Sequence, residues 1–435
     1  MNIIHIVAGA GEMYCGSCLH ANTLAVELRE AGHDALLAPV YMPLRTDERN
    51  VSIDRVAFGG VNVYLQQMSA LFGHLPRALD RILDRPGLLR WLSKHAGGTR
   101  PDKLGPLTIS VLQGEEGRQR KELDKLVDWL EEEVRPDIVH LSNVMLCGMA
   151  RSLASRLGVP IVCSLSGEDI FLEELIEPHR SRARELLRQR CKDIDALVAM
   201  NNYYADFMAD YLSVSRERVR VIPPGLDLRD FDAAEDSDNE SEKSEDVVTI
   251  GYLARVCPEK GLHNLAEAFV MLAAEKDLPP LKLLAAGYID PAERHYLAGI
   301  ESKLAAAGLA DRFEYVGEVD RREKVALLRS FDVMSVPTVY RESKGLSILE
   351  ALAVGTPVVL PEHGTFPELI ADTGGGLLCE PENPAALAAS LRRMILDRPF
   401  ADQCGRKARE AVHERYNGPL MADRTLQLYR ELTEA

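Results

Sequence analysis

PTVYRESKGLSILEALAVGTPVVLPEHGTFPE, residues Pro337 to Glu368, carries two glutamates, Glu342 and Glu350, eight positions apart. Between them Gly345 opens an apolar run, LSILEALAVG, whose helical spacing stops at Gly355. The preceding run, Phe331 to Val336, is short, apolar and partly β-branched, the pattern of a buried parallel strand. Strand, glycine turn and helix in that order put Glu342 in the loop leaving the strand's C-terminal end, where open α/β sheets bind ligands. A helix starting near Lys344 or Gly345 aims unpaired N–H groups and the positive end of its dipole at that crevice, and a glycine there admits an anion closely. A diphosphate suits the place. Glu350 lies about one and a half turns further on, so its carboxylate reaches a group attached to the anion and accepts paired hydroxyl hydrogens, as from a ribose. Glu342 faces the other end of the ligand. The plain alternative is two solvated glutamates, the usual state of such residues.

The motif Glu342, seven intervening residues, Glu350, then EALAVGTPVV and, after Gly364, Pro367-Glu368, resembles the donor site of retaining glycosyltransferases of family 4. The resemblance implies the GT-B architecture, two facing Rossmann-like α/β domains with parallel sheets and a C-terminal helix crossing back to the first. It implies that Glu342 contacts the transferred sugar, Glu350 the nucleotide ribose and the helix N-terminus the diphosphate. Thr365 stands where the family usually has a second glycine.

Working outward, 435 residues exceed one ordinary core, so two domains are expected. The expected division is an acceptor-binding domain over 1–225, an acidic linker over 226–246, a donor-binding domain over 247–415 and a crossover helix over 416–435. The linker follows from EDSDNESEKSED, with seven acidic residues, one lysine and no apolar side chain. A formal net charge of −16 argues against general nucleic-acid binding, which draws on basic surface, so an anionic ligand needs local cations.

Those cations are read in the second half. A strand over Val247–Leu253 leads into ARVCPEKG, where Arg255 and Lys260 flank a loop between strand end and helix start and would bracket a diphosphate. They match the family's Arg-x-x-x-x-Lys-Gly element, which stabilises the leaving diphosphate. Strands and helices alternate on through Leu281–Ala286, Pro291–Ala307, Phe313–Val316 and Arg321–Ser330. The turn Gly317–Val319 is where the family holds its nucleobase. The resemblance thus implies donor contacts at Gly16, Arg255, Lys260, Val319, Glu342, Lys344, Gly345, Leu346 and Glu350.

In the first half, Asn2–Ala8 reads as a buried strand, followed by a loop with Gly9, Gly11 and Gly16 and a helix stopped at Gly32. Cys15 and Cys18 form a C-x-x-C in that loop, read as loop-shaping rather than as half a metal site. The eight cysteines lack a framework spacing and read as reduced thiols; with no signal-like start and no long apolar run, the protein is expected in the cytoplasm. Arg77, Arg81 and Arg85 recur on an amphipathic segment, and Arg180, Arg182, Arg184, Arg188 and Arg190 on a helix running through FLEELIEPHRSRARELLRQR. Both read as solvated or covering surface, with peripheral membrane or lipid-acceptor contact as the other option.

Strands over Asp137–Leu141 and Pro160–Leu165 end in two polar loops, His140, Ser142, Asn143 and then Ser166, Gly167, Glu168, Asp169, which are acceptor-side candidates. Where many family members have His-x-His and His-Gly, this chain has His140-Leu141-Ser142 and Ser166-Gly167. His140 is the remaining histidine candidate for catalysis, set against a buried, merely hydrogen-bonded role.

The reading is a retaining, metal-independent hexosyltransferase. It moves a sugar from a nucleotide diphosphate to a sugar, lipid or small-molecule acceptor, with Glu342, Arg255, Lys260 and His140 as catalytic candidates and no cofactor. A nucleotide-sugar hydrolase or epimerase, or a nucleotide-sugar-binding protein impaired in transfer, are the alternatives.

Overall fold

The computed structural model describes residues 1–10, 14–53, 56, 101–233 and 247–434. The amphipathic segment with Arg77, Arg81 and Arg85, Gly11 and the acidic run lie outside them. The chain divides into two compact units, Met1–Gly225 with Gly418–Ala435, and Leu226–Asn417.

In the first unit, strands β1 (Asn2–Val7), β2 (Asp34–Pro39), β3 (Ile138–Leu141), β4 (Ile161–Ser164), β5 (Ala196–Ala199) and β6 (Val219–Val221) pair in the order β2-β1-β3-β4-β5-β6. Every pairing is parallel. Parallel strands need crossovers, and these are α1 (Gly16–Glu30), α2 (Pro101–Gln113), α3 (Arg120–Trp129), α4 (Ala150–Leu157), α5 (Glu168–Glu173), α6 (His179–Arg190) and α7 (Asn202–Leu212). With helices on both faces, the strands are apolar almost throughout: β3, β4 and β5 are buried at every position.

The second unit opens with α8 (Arg229–Ala233). Its strands are β7 (Val248–Leu253), β8 (Leu281–Ala286), β9 (Phe313–Gly317), β10 (Val333–Met334), β11 (Val358–Pro361) and β12 (Gly376–Cys379). Between them run α9 (Leu262–Ala273), α10 (Arg294–Ala306), α11 (Arg321–Ser330), α12 (Leu346–Ala353) and α13 (Phe366–Thr373). Then α14 (Pro384–Leu396) and α15 (Arg398–Arg415) close the unit. The order β12-β11-β10-β7-β8-β9 reverses direction where β7 meets β10, which opens a crevice at the carboxyl ends of those two strands.

The last helix, α16 (Gly418–Thr433), belongs to the first unit. Its Met421, Leu426, Leu428 and Tyr429 are buried with Ile3, Leu24, Leu28 and Val162, each contributing roughly 1.5–3 kcal/mol.

Several expectations need correcting. The strand expected over Phe331–Val336 is assigned at Val333–Met334, with the Asp332 and Ser335 N–H groups also donating to β7 carbonyls; the Phe331 ring packs where a Cβ on Gly251 would stand. The single helix through FLEELIEPHRSRARELLRQR is two, α5 and α6, because Pro178 brings no N–H to an interior turn and sits at the N-cap of α6. Its arginines lie on a solvated surface as expected, with Arg190 the exception. Arg180 pairs with Glu177, Arg182 with Glu185 and Arg184 with Glu173, while buried Arg190 donates to the Leu112 carbonyl and Glu115. Residues Leu226–Ala233, expected in the linker, pack on the second unit. Phe231 is buried in its core, and Asp227 and Asp230 pair with Arg321 at the start of α11.

His140 also differs from its catalytic reading. It is buried beneath α16, with Nδ1 2.6 Å from the Tyr429 hydroxyl and Nε2 2.8 Å from the Ser164 hydroxyl. Its ring stacks on that of His5 with centroids 4.4 Å apart. Both nitrogens are thus occupied inside the unit. Burial, reinforced by neighbouring imidazoles, holds His140 well below the ordinary histidine value and His5 at about 3. The unfolded chain, titrating near 6.5, then binds more protons than the folded one as pH falls from 6.5 toward 3, so stability present above 6.5 is lost through that window. Chemical denaturation at pH 7.5 and 5.5 should show a loss to which His5 contributes about 1.4 kcal/mol, with His140 acting in the same direction. His5→Leu should remove about 1.4 kcal/mol of that loss; an equal slope in that variant would refute the assignment.

Candidate active site

The loops leaving β7 and β10 carry the charged groups. After β7, Arg255 is exposed at the strand end, and Lys260 lies in a short 3-10 turn before α9. After β10, Glu342 is buried, and its carboxylate collects four donors. Oε2 accepts from Lys260 Nζ at 2.6 Å and from the Tyr340 hydroxyl at 3.0 Å. Oε1 accepts from the backbone N–H of Ser343 at 3.1 Å and of Lys344 at 3.2 Å. Burial alone would raise this carboxyl, yet the Lys260 ammonium beside it, helped by Lys344, brings it down to about 2.

Backbone geometry holds Glu342 there. Gly364 has φ of 62°, and a Cβ on it would stand 2.5 Å from the Glu342 carbonyl oxygen. The absence of a side chain lets the next residue, Thr365, donate its N–H to that oxygen at 2.8 Å. Thr365 is thereby accommodated in place of glycine, buried at the N-cap of α13. Gly345 is the N-cap of α12 with φ of 71°, a left-handed turn that glycine adopts without strain. Lys344 and Leu346 flank it, both half-buried.

Glu350 sits on α12 and is buried, with Lys324 Nζ of α11 2.5 Å from its Oε1. Val319, after β9, is half-buried against the unit's core. The second unit therefore brings Arg255, Lys260, Glu342, Lys344, Gly345 and Glu350 to the carboxyl edge around the β7–β10 reversal, with Val319 in a loop at the same edge.

Gly16 and the acceptor-side candidates belong to the first unit. Gly16 opens α1, just after its N-cap residue Cys15. No disulfide joins the eight cysteines, and among the described residues no three metal-ligating groups converge. At the ends of β3 and β4, buried Glu168 accepts from the Val144 N–H at 3.2 Å and from the Ser166 N–H and hydroxyl at 2.8 and 3.0 Å. It ties the two loops together. Asp169 accepts from the Tyr204 hydroxyl at 2.7 Å, and burial raises its carboxyl above the ordinary aspartate value. Ser142 is buried, and Asn143 presents a buried side-chain oxygen that has no hydrogen-bond partner among the described residues.

Residues 105–230 match the model of Glycosyltransferase Family 4, and residues 233–411 that of Glycosyl transferases group 1. The chain belongs to the family 4 glycosyltransferases. This family member is 29% identical over 398 residues to a D-inositol 3-phosphate glycosyltransferase of Paenarthrobacter aurescens, a match covering 86% of this chain and 93% of that one. It is 26% identical over 304 residues to a glycogen synthase of Mycobacterium tuberculosis, covering 68% and 69%. Among solved structures, Alr3699/HepE of Anabaena, in complex with UDP and glucose, superposes with a TM-score of 0.69 at 17% identity, covering 99% of this glycosyltransferase and 100% of that chain. A sucrose-phosphate synthase from Thermosynechococcus elongatus gives 0.70 at 18% identity, with both chains fully covered. At such identities the likeness speaks for the fold, which is GT-B.

Sequence reasoning missed two partners in this glycosyltransferase. Tyr340 was readable only as a loop aromatic two positions before Glu342. Lys324 lies in the charged run RREK, where the one signal is its place four residues before buried Leu328, on the helix's inner face. Removing one partner of a buried pair costs more than the pair contributes. Lys260→Met, which strands Glu342 in the interior, should therefore lower urea-denaturation stability by about 3 kcal/mol or more. Glu342→Gln should cost less, since the Lys260 side chain, 20% exposed, can turn to water. Equal costs would contradict the account.

Proposed function

We propose that this glycosyltransferase moves a sugar from a nucleotide diphosphate donor to a hydroxyl of a sugar, lipid or small-molecule acceptor, with retention of anomeric configuration and without a metal ion. The observation that carries the reading is the Lys260–Glu342 pair beside the glycine-opened N-terminus of α12, at the strand-order reversal. An anion seated there meets the N–H groups opening α12 and the cations Arg255, Lys260 and Lys344. Fixed positive charge where the diphosphate gains negative charge lowers the barrier by about 3 kcal/mol per well-placed donor. The UDP and glucose bound by the Anabaena relative are in keeping with such a donor.

In the reaction the bond from anomeric carbon to diphosphate oxygen breaks and the acceptor oxygen bonds to the same face. The acceptor's proton passes to the departing diphosphate. Glu342, kept anionic by Lys260, positions the sugar; a front-face attack through an oxocarbenium-like state needs no protein nucleophile. The polar loops of Ser142, Asn143, Ser166, Glu168 and Asp169 are the proposed acceptor contacts.

A thermal-shift screen with UDP, GDP, ADP and TDP, each alone and as a common sugar conjugate, should single out one nucleotide that raises the melting temperature. Arg255→Ala should fold normally, weaken that shift and lower kcat about a hundredfold. Product formed with the wild type should keep the donor's anomeric configuration by NMR. An inverted product, or a well-folded protein that no nucleotide stabilises, would overturn the proposal.

A further inference from the structure

Lys324 and Glu350 are both less than a tenth exposed, at 7% and 6%, and their charged ends are 2.5 Å apart. A buried ion pair is a poor stabilising device, since the loss of hydration of both groups offsets most of the attraction, and apolar residues of equal volume serve as well. The pair therefore calls for an explanation other than stability. Its surroundings supply one. Glu350 projects from α12, about one and a half turns beyond the N-terminus proposed to hold the diphosphate.

The helix that carries Lys324 is itself anchored at two points. Asp320 and Glu323 form a reciprocal capping box at the start of α11. In the same first turn, Arg321 is buried, lies over the Phe231 ring and pairs with Asp227 and Asp230. The capped and anchored first turn leaves α11 little freedom to slide, so the Lys324 ammonium is delivered to a set place.

We propose that Lys324 is a positioning residue for nucleotide recognition: it holds the Glu350 carboxylate in the orientation that accepts the ribose hydroxyl hydrogens of the donor. The inference rests on the donor site proposed above. Lys324 touches Glu350 and not the reacting atoms, so its removal acts on ribose recognition and spares the sugar-transfer step.

The test is ribose discrimination. Dissociation constants of UDP, GDP and ADP and of their 2′,3′-dideoxy analogues are measured by calorimetry on wild type, Glu350→Gln, Lys324→Met, Lys324→Arg and Lys324→Met/Glu350→Gln. Wild type should prefer the ribonucleotide of its cognate base at least tenfold, as expected for hydroxyls bonded to a charged group. Lys324→Met and Glu350→Gln should each bring the ratio of dissociation constants near one, and the double variant should lose no more than either. Lys324→Arg should keep most of it.

A general loosening of the unit would weaken ribo and dideoxy ligands alike and leave the ratio standing, which would overturn the role of Lys324. If Lys324→Met does not fold, Lys324→Gln, which retains a donor but not the charge, takes its place, and a wild-type ratio in that variant likewise overturns the proposal. A wild type that binds none of the three nucleotides would instead overturn the donor-site reading itself, and this inference with it.

Discussion

The parallel pairing of β7 with β10 is the constraint on which the second unit depends. Parallel strands cannot be joined by tight turns, so each is followed by a crossover helix, and the crossovers on the two sides of the pair lead away in opposite directions. The two carboxyl ends are left side by side with no crossover over them. Whatever side chains follow β7 and β10 must therefore meet. In this chain they are Lys260 and Glu342, and their meeting 2.6 Å apart follows from strand order as much as from their chemistry.

A buried carboxylate with four donors is tolerated only because the surrounding backbone is arranged to supply them. The N–H groups of Ser343 and Lys344 turn inward just before α12, and Gly364 lets the next segment approach closely enough to hold the Glu342 carbonyl. The same economy of local charge reconciles an anion site with a chain of net charge −16. Cations are concentrated at one sheet edge, where low dielectric and fixed helix dipoles strengthen them.

The first unit uses related means differently. Glu168, rather than a histidine, links the loops after β3 and β4, by accepting backbone and hydroxyl hydrogens from both. The two histidines nearby are buried. His5 and His140 stack beneath α16, and the Tyr429 hydroxyl that meets His140 joins the last helix to the central strands. Polar groups that could have served chemistry at the edge here secure the docking of the chain's end onto its beginning.

Much of this is legible in the sequence itself. Period and punctuation are local properties, so the helices at Arg321–Ser330 and Leu346–Ala353 and the strand at Leu281–Ala286 follow from spacing, and Glu342, Glu350, Arg255 and Lys260 from spacing together with family resemblance. Expectation and structure also differ at two places: the Phe331 ring packs on Gly251 just outside the paired residues of its strand, and Pro178 splits an expected helix. Only the tertiary structure decided who pairs with whom. Lys324 is 26 positions from Glu350, and His140 is 289 from Tyr429; no periodicity spans such separations, because those contacts are set by the packing of helices on sheets rather than by the chain between them.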